Sequence, residues 1–127
     1  MRNTSGSRSN GKTRTAGEAL TEAAQRYMEE HYREKFSLSR IADALYVNGS
    51  YLLRTFRTQT GQTMLWYHNH VRCEKASEML ANTRKAISDI SEEAGFTTTS
   101  HFSHVYRRMT GISPTQYRAR QQAAGRK

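Results

Sequence analysis

The side chains best equipped for chemistry in this chain are arginines on two short segments, SYLLRTFRTQTG at 50–61 and SHFSHVYRRMTG at 100–111. A guanidinium presents a planar fork of donors that can grip a guanine edge or a phosphate through paired hydrogen bonds. If the first segment is a helix, Ser50, Leu53, Arg54 and Arg57 share one face, at i, i+3, i+4 and i+7. The same positions of the second hold Ser100, Ser103, His104 and Arg107, with Arg108 beside them. Small residues early on such a face let a helix approach base edges closely, while hydroxyls and helix-terminal amides suit phosphate oxygens. The opposite faces are built to pack: Leu52, Thr55 and Phe56 in one segment, Phe102, Val105, Tyr106 and Met109 in the other.

The two segments are copies. Aligned fifty residues apart, Ser50 meets Ser100, Arg57 meets Arg107, Thr60 meets Thr110 and Gly61 meets Gly111. The likeness extends backwards, since IADALYVN at 41–48 matches ISEEAGFT at 90–97 with one extra residue in the second turn. Each copy therefore reads as a short helix, a tight turn and a second helix, which is the helix-turn-helix arrangement.

The surrounding elements follow from caps and apolar spacing. A first helix is expected from about 17 to 34, with Leu20, Ala23, Ala24, Tyr27 and His31 facing inward. Ser37 caps a short helix to about Leu45, whose Leu38, Ile41, Ala42 and Leu45 are its core positions. Asn48 caps the helix that ends near Thr60, and Thr63 caps a longer one to about Ala81. On that rod Trp66, Cys73, Ala76 and Leu80 lie along one side and are expected in the core. The pattern restarts with a short helix over 86–94, then a helix over 99–110 that Thr98 caps and Gly111 stops. Ser113 and Pro114 open a last short helix through Tyr117. The expected fold is all-α, with about seven helices.

Charge sharpens the picture. Of the net +9, most sits at the ends: the first sixteen residues hold four basic groups and no acid, and so do the last ten. Between 17 and 117 twelve basic groups face eleven acids, and the acids are segregated. Glu18, Glu22, Glu29, Glu30 and Glu34 load the first helix, whereas no acid occurs from Ala94 onward. Such asymmetry points to a polyanion on one face. The expected organisation is a disordered basic arm at 1–16, natural or left from expression, and a first helix-turn-helix subdomain at 17–62. A linker helix at 63–81, a second subdomain at 82–120 and a basic tail at 121–127 follow.

These residues carry a specific resemblance. The chain resembles the DNA-binding domain of the AraC/XylS family of transcriptional regulators. In the first half the family pattern is met by Ile41, Ala42, Leu45, Tyr51, Leu52, Arg54, Phe56 and Gly61, and along the rod by Tyr67, Arg72, Ala76, Met79 and Leu80. DISEEAGFTTTSHFSHVYRRMTGISPTQYR at 89–118 follows it more closely still. Three positions depart from the pattern: Tyr46 stands where a small residue usually makes the turn, His68 replaces an aliphatic residue, and His104 a Lys or Arg. The resemblance implies two recognition helices in successive major-groove segments of double-stranded DNA. It also implies a regulator, usually an activator, that touches RNA polymerase.

Residue by residue, Arg54 is the candidate guanine reader, and Leu53 beside it can pack on a thymine methyl. Gly49 and Ser50 are expected nearest the groove floor, with Thr99, Ser100 and His101 as counterparts. Arg57, Arg107 and Arg108 are expected to clamp phosphates, and Ser103 and His104 to face outward. Thr98 and Thr99 are expected either to cap or to hold phosphate, and Asn48, the cap of its helix, is counted with the DNA-binding residues. His101 and His104 lie three apart on a helix, but neither a cysteine nor an acid stands near to complete a metal site, so no metal is expected. Nor does the sequence offer a catalytic triad, a phosphate-binding glycine loop or a cofactor motif, so an enzyme is not expected. The lone Cys73 and the lack of a long apolar run suit a cytoplasmic protein without a membrane span. The competing expectation is a non-specific nucleic-acid binder held by its basic ends. A single chain could cover both half-sites, and oligomeric state is left open.

Overall fold

The computed structural model describes residues 14–125, so most of the arm expected at 1–16, and the final two residues of the expected tail, lie outside the described residues. Among the described residues seven helices follow one another: α1 (Ala16–Glu30), α2 (Leu38–Ala44), α3 (Gly49–Thr60), α4 (Met64–Asn82), α5 (Ile87–Glu93), α6 (Thr99–Thr110) and α7 (Pro114–Ala124). No strand occurs among the described residues.

Helix starts are set locally. Ser37, Asn48, Thr63, Thr98 and Ser113 each sit in extended backbone and accept a hydrogen bond from the amide three residues on. Thr15 and Glu18 add a reciprocal capping box that starts α1 at Ala16, inside the segment expected to be disordered. α1 also stops at Glu30 rather than near 34, and residues 31–37 form a bent connection. At the other end a second capping box, between Ser113 and Gln116, carries α7 to Ala124, well past the expected stop at Tyr117.

Two hydrophobic cores form. Ala24, Met28, Ile41, Ala42, Leu52, Phe56 and Met64 make the first, from α1, α2, α3 and the start of α4. Cys73, Ala76, Leu80, Ile90, Ala94, Phe96, Phe102 and Tyr106 make the second, from the rest of α4 with α5 and α6. The buried line of α1 is Thr21, Ala24 and Met28, flanked by half-buried Leu20, Ala23, Tyr27 and His31. The expected stripe thus proves to be one shoulder of the packed face.

α4 has to serve both cores, and it does so with different sides. Its N-terminal half buries Met64, His68 and Val71, and its C-terminal half Cys73, Ala76 and Leu80. At 3.6 residues per turn these two lines lie roughly 150° apart around the axis. Trp66 stands two turns before Cys73 and so continues the second line into the half of the rod that belongs to the first core. It is therefore 37% exposed rather than buried, stacked on His70 at 4.9 Å, which in turn pairs with Glu74 at 3.4 Å.

Candidate nucleic-acid interface

The repeated sequence proves to be two kinds of repeat, one structural and one left on the surface. Thr60 and Thr110 both turn their hydroxyls back, donating to the carbonyls of Phe56 and Tyr106 at 2.8 Å. Gly61 and Gly111 take left-handed φ angles of 79° and 90° and close α3 and α6 through identical 2.8 Å bonds to Arg57 and Arg107 carbonyls. Those shared residues end the helices. The side chains of Ser50 with Ser100 and of Arg57 with Arg107 take no part in these bonds, and all four residues are exposed.

The turn before each second helix is also built alike. Val47 donates to the Ala42 carbonyl and Phe96 to that of Ser91, each at 3.0 Å. Gly95 takes φ 100° there, and Tyr46 adopts φ 58° in the equivalent place, so the turn forms without its glycine. Tyr46 points into solvent, 95% exposed. A Cβ on Gly95 would instead lie 2.8 Å from the Cα of Arg33, so only glycine fits.

On α3, Ser50, Leu53, Arg54 and Arg57 are all exposed, with Leu53 at 43%. On α6, Thr99, Ser100, His101, His104, Arg107 and Arg108 are exposed, while Ser103 is half-buried. His101 also sets its ring edge-on against Phe96 at 5.6 Å. Gly49 is half-buried against Leu38, so a side chain there would meet α2. Asn48 and Thr98 are exposed, but their side-chain oxygens already accept from the Tyr51 and His101 amides, at 3.1 and 3.0 Å. Among the described residues Arg54, Arg57, Arg107 and Arg108 pair with no carboxylate. None of the eleven acids lies on α3, α6 or α7. Each of the two like helices thus shows two guanidinium groups and no acid on its exposed side, which suits anions.

Two arginines behave differently, and sequence reasoning assigned them no role beyond membership of the pattern. Arg118 donates to the carbonyls of Leu80, Lys85 and Thr83, at 3.1, 2.8 and 3.2 Å, and so ties α7 to the connection before α5. Arg72, only 7% exposed, donates to the carbonyls of Tyr32 and Glu34, at 2.7 and 2.8 Å, before α2. For Arg72 the signal in the sequence was an arginine among core positions, which burial alone would disfavour.

Two helix-turn-helix units on one chain, each showing an arginine-bearing second helix, define a DNA-binding domain of the transcription-regulator type. The family model for a helix-turn-helix domain matches residues 41–120. The chain is 35% identical over 104 residues to the transcriptional activator RhaR of Escherichia coli K12, covering 82% of this chain and 37% of RhaR. An AraC-type regulator from Chromobacterium violaceum superposes with a TM-score of 0.78 at 30% identity, over 84% of this chain and 96% of that one. The DNA-binding domain of the global transcriptional factor AdpA, solved with a target DNA, gives 0.75 at 27% identity, over 83% and 94%. The chain belongs to the helix-turn-helix family of AraC-type transcriptional regulators. It spans little more than a third of the length of the curated relatives it matches.

Proposed function

We propose that this protein recognises a specific duplex sequence by laying α3 and α6 into successive major-groove segments, one helical turn apart. The observation that carries this reading is the division between what the two helices share and what they do not. The shared exposed arginines, Arg57 with Arg107, suit what is the same at any DNA site, the phosphates, while shared Ser50 and Ser100 keep both helices slim at the groove floor. Differing outward groups, exposed Leu53 and Arg54 against half-buried Ser103 and exposed His104, suit two different base sequences. Arg54 grips a guanine, Leu53 covers a thymine methyl, and Arg57, Arg107 and Arg108 hold phosphates. The α4 rod of 19 residues, about 28 Å long, supports such a span.

On this reading one chain covers two unlike half-sites, with units over 17–62 and 82–120 joined by the 63–81 helix. Its activity is regulation of transcription, as an activator that touches RNA polymerase, in the cytoplasm. The activator RhaR among its relatives supports that direction, and no described helix is long and apolar enough to cross a membrane.

Two substitutions test the assignment of roles. Arg54→Ala should weaken binding by about 1–3 kcal/mol and relax preference at one base pair, whereas Arg57→Ala should weaken all sequences alike and lower the salt slope by about one. Equal loss on every sequence with Arg54→Ala would make Arg54 a phosphate contact and overturn its role.

A further inference from the structure

The principal pairings of the described helices fall within two sets, α1 to α4 on one side and α4 to α7 on the other, and α4 belongs to both. A single rod can bend or twist, yet the connection over 31–36 adds a second link at its middle. Arg72 is the centre of that link. Its guanidinium holds the Tyr32 and Glu34 carbonyls, from the first half of the molecule, and lies 5.2 Å over the ring of Phe96, from the second. Phe96 is buried against Phe102 on α6, at 5.2 Å between rings. Beside it Gly95 leaves no room between its own backbone and that of Tyr32 and Arg33. Lys75, one turn further along α4, sets its ammonium 5.7 Å from the Tyr32 ring. Arg118, in the second half, makes the same kind of carbonyl staple but all its partners lie within that half. Arg72 alone of the two staples across.

A buried guanidinium without a carboxylate is an expensive way to hold a loop, since desolvation opposes its charge. Its chemistry suits a joint: the fork fixes direction through two carbonyls and the flat face rests on an aromatic ring. We propose that Arg72, clamped between the 32–34 backbone and Phe96, is a positioning residue that fixes the angle between α3 and α6 and so sets the half-site spacing the protein accepts. This rests on the reading above that both helices engage one duplex. Lysine in its place keeps the charge and loses the fork; leucine for Phe96 keeps the apolar volume and loses the flat ring.

Spin labels on Asp43→Cys in α2 and Ser88→Cys in α5, both exposed sites, report the distance between the halves without DNA. The buried Cys73 stays unlabelled. The unaltered joint should give one narrow distance distribution, and Arg72→Lys and Phe96→Leu, checked for cooperative melting, should broaden it. On DNA, one base pair added between half-sites turns them by about 35°, which a rigid pair of heads rejects. The intact protein should lose about tenfold in affinity for each such step, and the variants about threefold or less, with isolated half-sites bound within about twofold of the intact protein. Unchanged distance widths in both folded variants overturn the proposal. So does an equal loss on isolated half-sites and full sites, because that marks general destabilisation. If the intact protein binds no half-site, the DNA reading fails, and the label widths still decide whether Arg72 joins the halves.

Discussion

His68 should make this domain lose stability in mild acid. It lies on the side of α4 that faces the first core, 3% exposed, with the Phe36 ring set edge-on at 5.6 Å. Its Nε2 has no hydrogen-bond partner among the described residues. Burial first, and then repulsion from the Arg72 guanidinium, push its pKa from the usual 6.5 down to about 4, against a smaller opposing pull from the Glu34 backbone. The folded protein therefore keeps this imidazole neutral, while an unfolded chain protonates it near pH 6.5. Stability from this group is complete above about pH 6.5, declines as pH falls and is lost by about pH 4. A gap of about 2.5 pH units corresponds to about 3 kcal/mol in full, of which about 2 kcal/mol is gone at pH 5. Glu34, held below its ordinary carboxylate range by the hydrogen bond from His31, is exposed and changes little across that window. Urea unfolding followed by helical circular dichroism at pH 7.5 and pH 5 measures the difference directly. His68→Leu should remove about 2 kcal/mol of the acid loss and be at least as stable as the native chain at pH 7.5. Equal acid losses in the two proteins would refute the burial argument.

Other substitutions separate backbone strain from crowding. Gly95→Ala combines a φ of 100° with a Cβ 2.8 Å from backbone and should cost more than about 3 kcal/mol in urea melts. Gly111→Ala has φ 90° but nothing within 4 Å, and should cost about 1 kcal/mol. Tyr46→Gly releases a left-handed tyrosine whose ring touches almost nothing, and should raise stability by about 0.5 kcal/mol; a loss instead would mean the ring makes a stabilising contact.

How much of this was legible depended on how local each cause is. Five caps, at Ser37, Asn48, Thr63, Thr98 and Ser113, could be read because each is decided by one side chain and an amide three residues away. The duplication was legible for the same reason, since Thr60, Thr110 and their glycines end helices through local bonds. Trp66 was misplaced because a stripe extrapolated along α4 assumes one core, and this helix changes sides between two. The central role of Arg72 was hidden because its partners, Tyr32, Glu34 and Phe96, are distant in sequence and two of them offer only backbone oxygen. At the candidate interface, the expected outward residues of α3 are exposed, while Ser103 and Gly49 prove partly covered by neighbours that no periodicity reveals.

Two unlike reading heads acting on one duplex should leave their mark in selection from a random pool. Duplexes of about 25 bp, selected at about 150 mM salt so that attraction to the backbone does not mask preference, should converge. Two different short motifs, one helical turn apart, should emerge, with a guanine in one of them no longer selected when Arg54 is replaced by alanine. Binding of every duplex alike, steeply weakened by salt and without any enriched motif, would contradict two-headed reading.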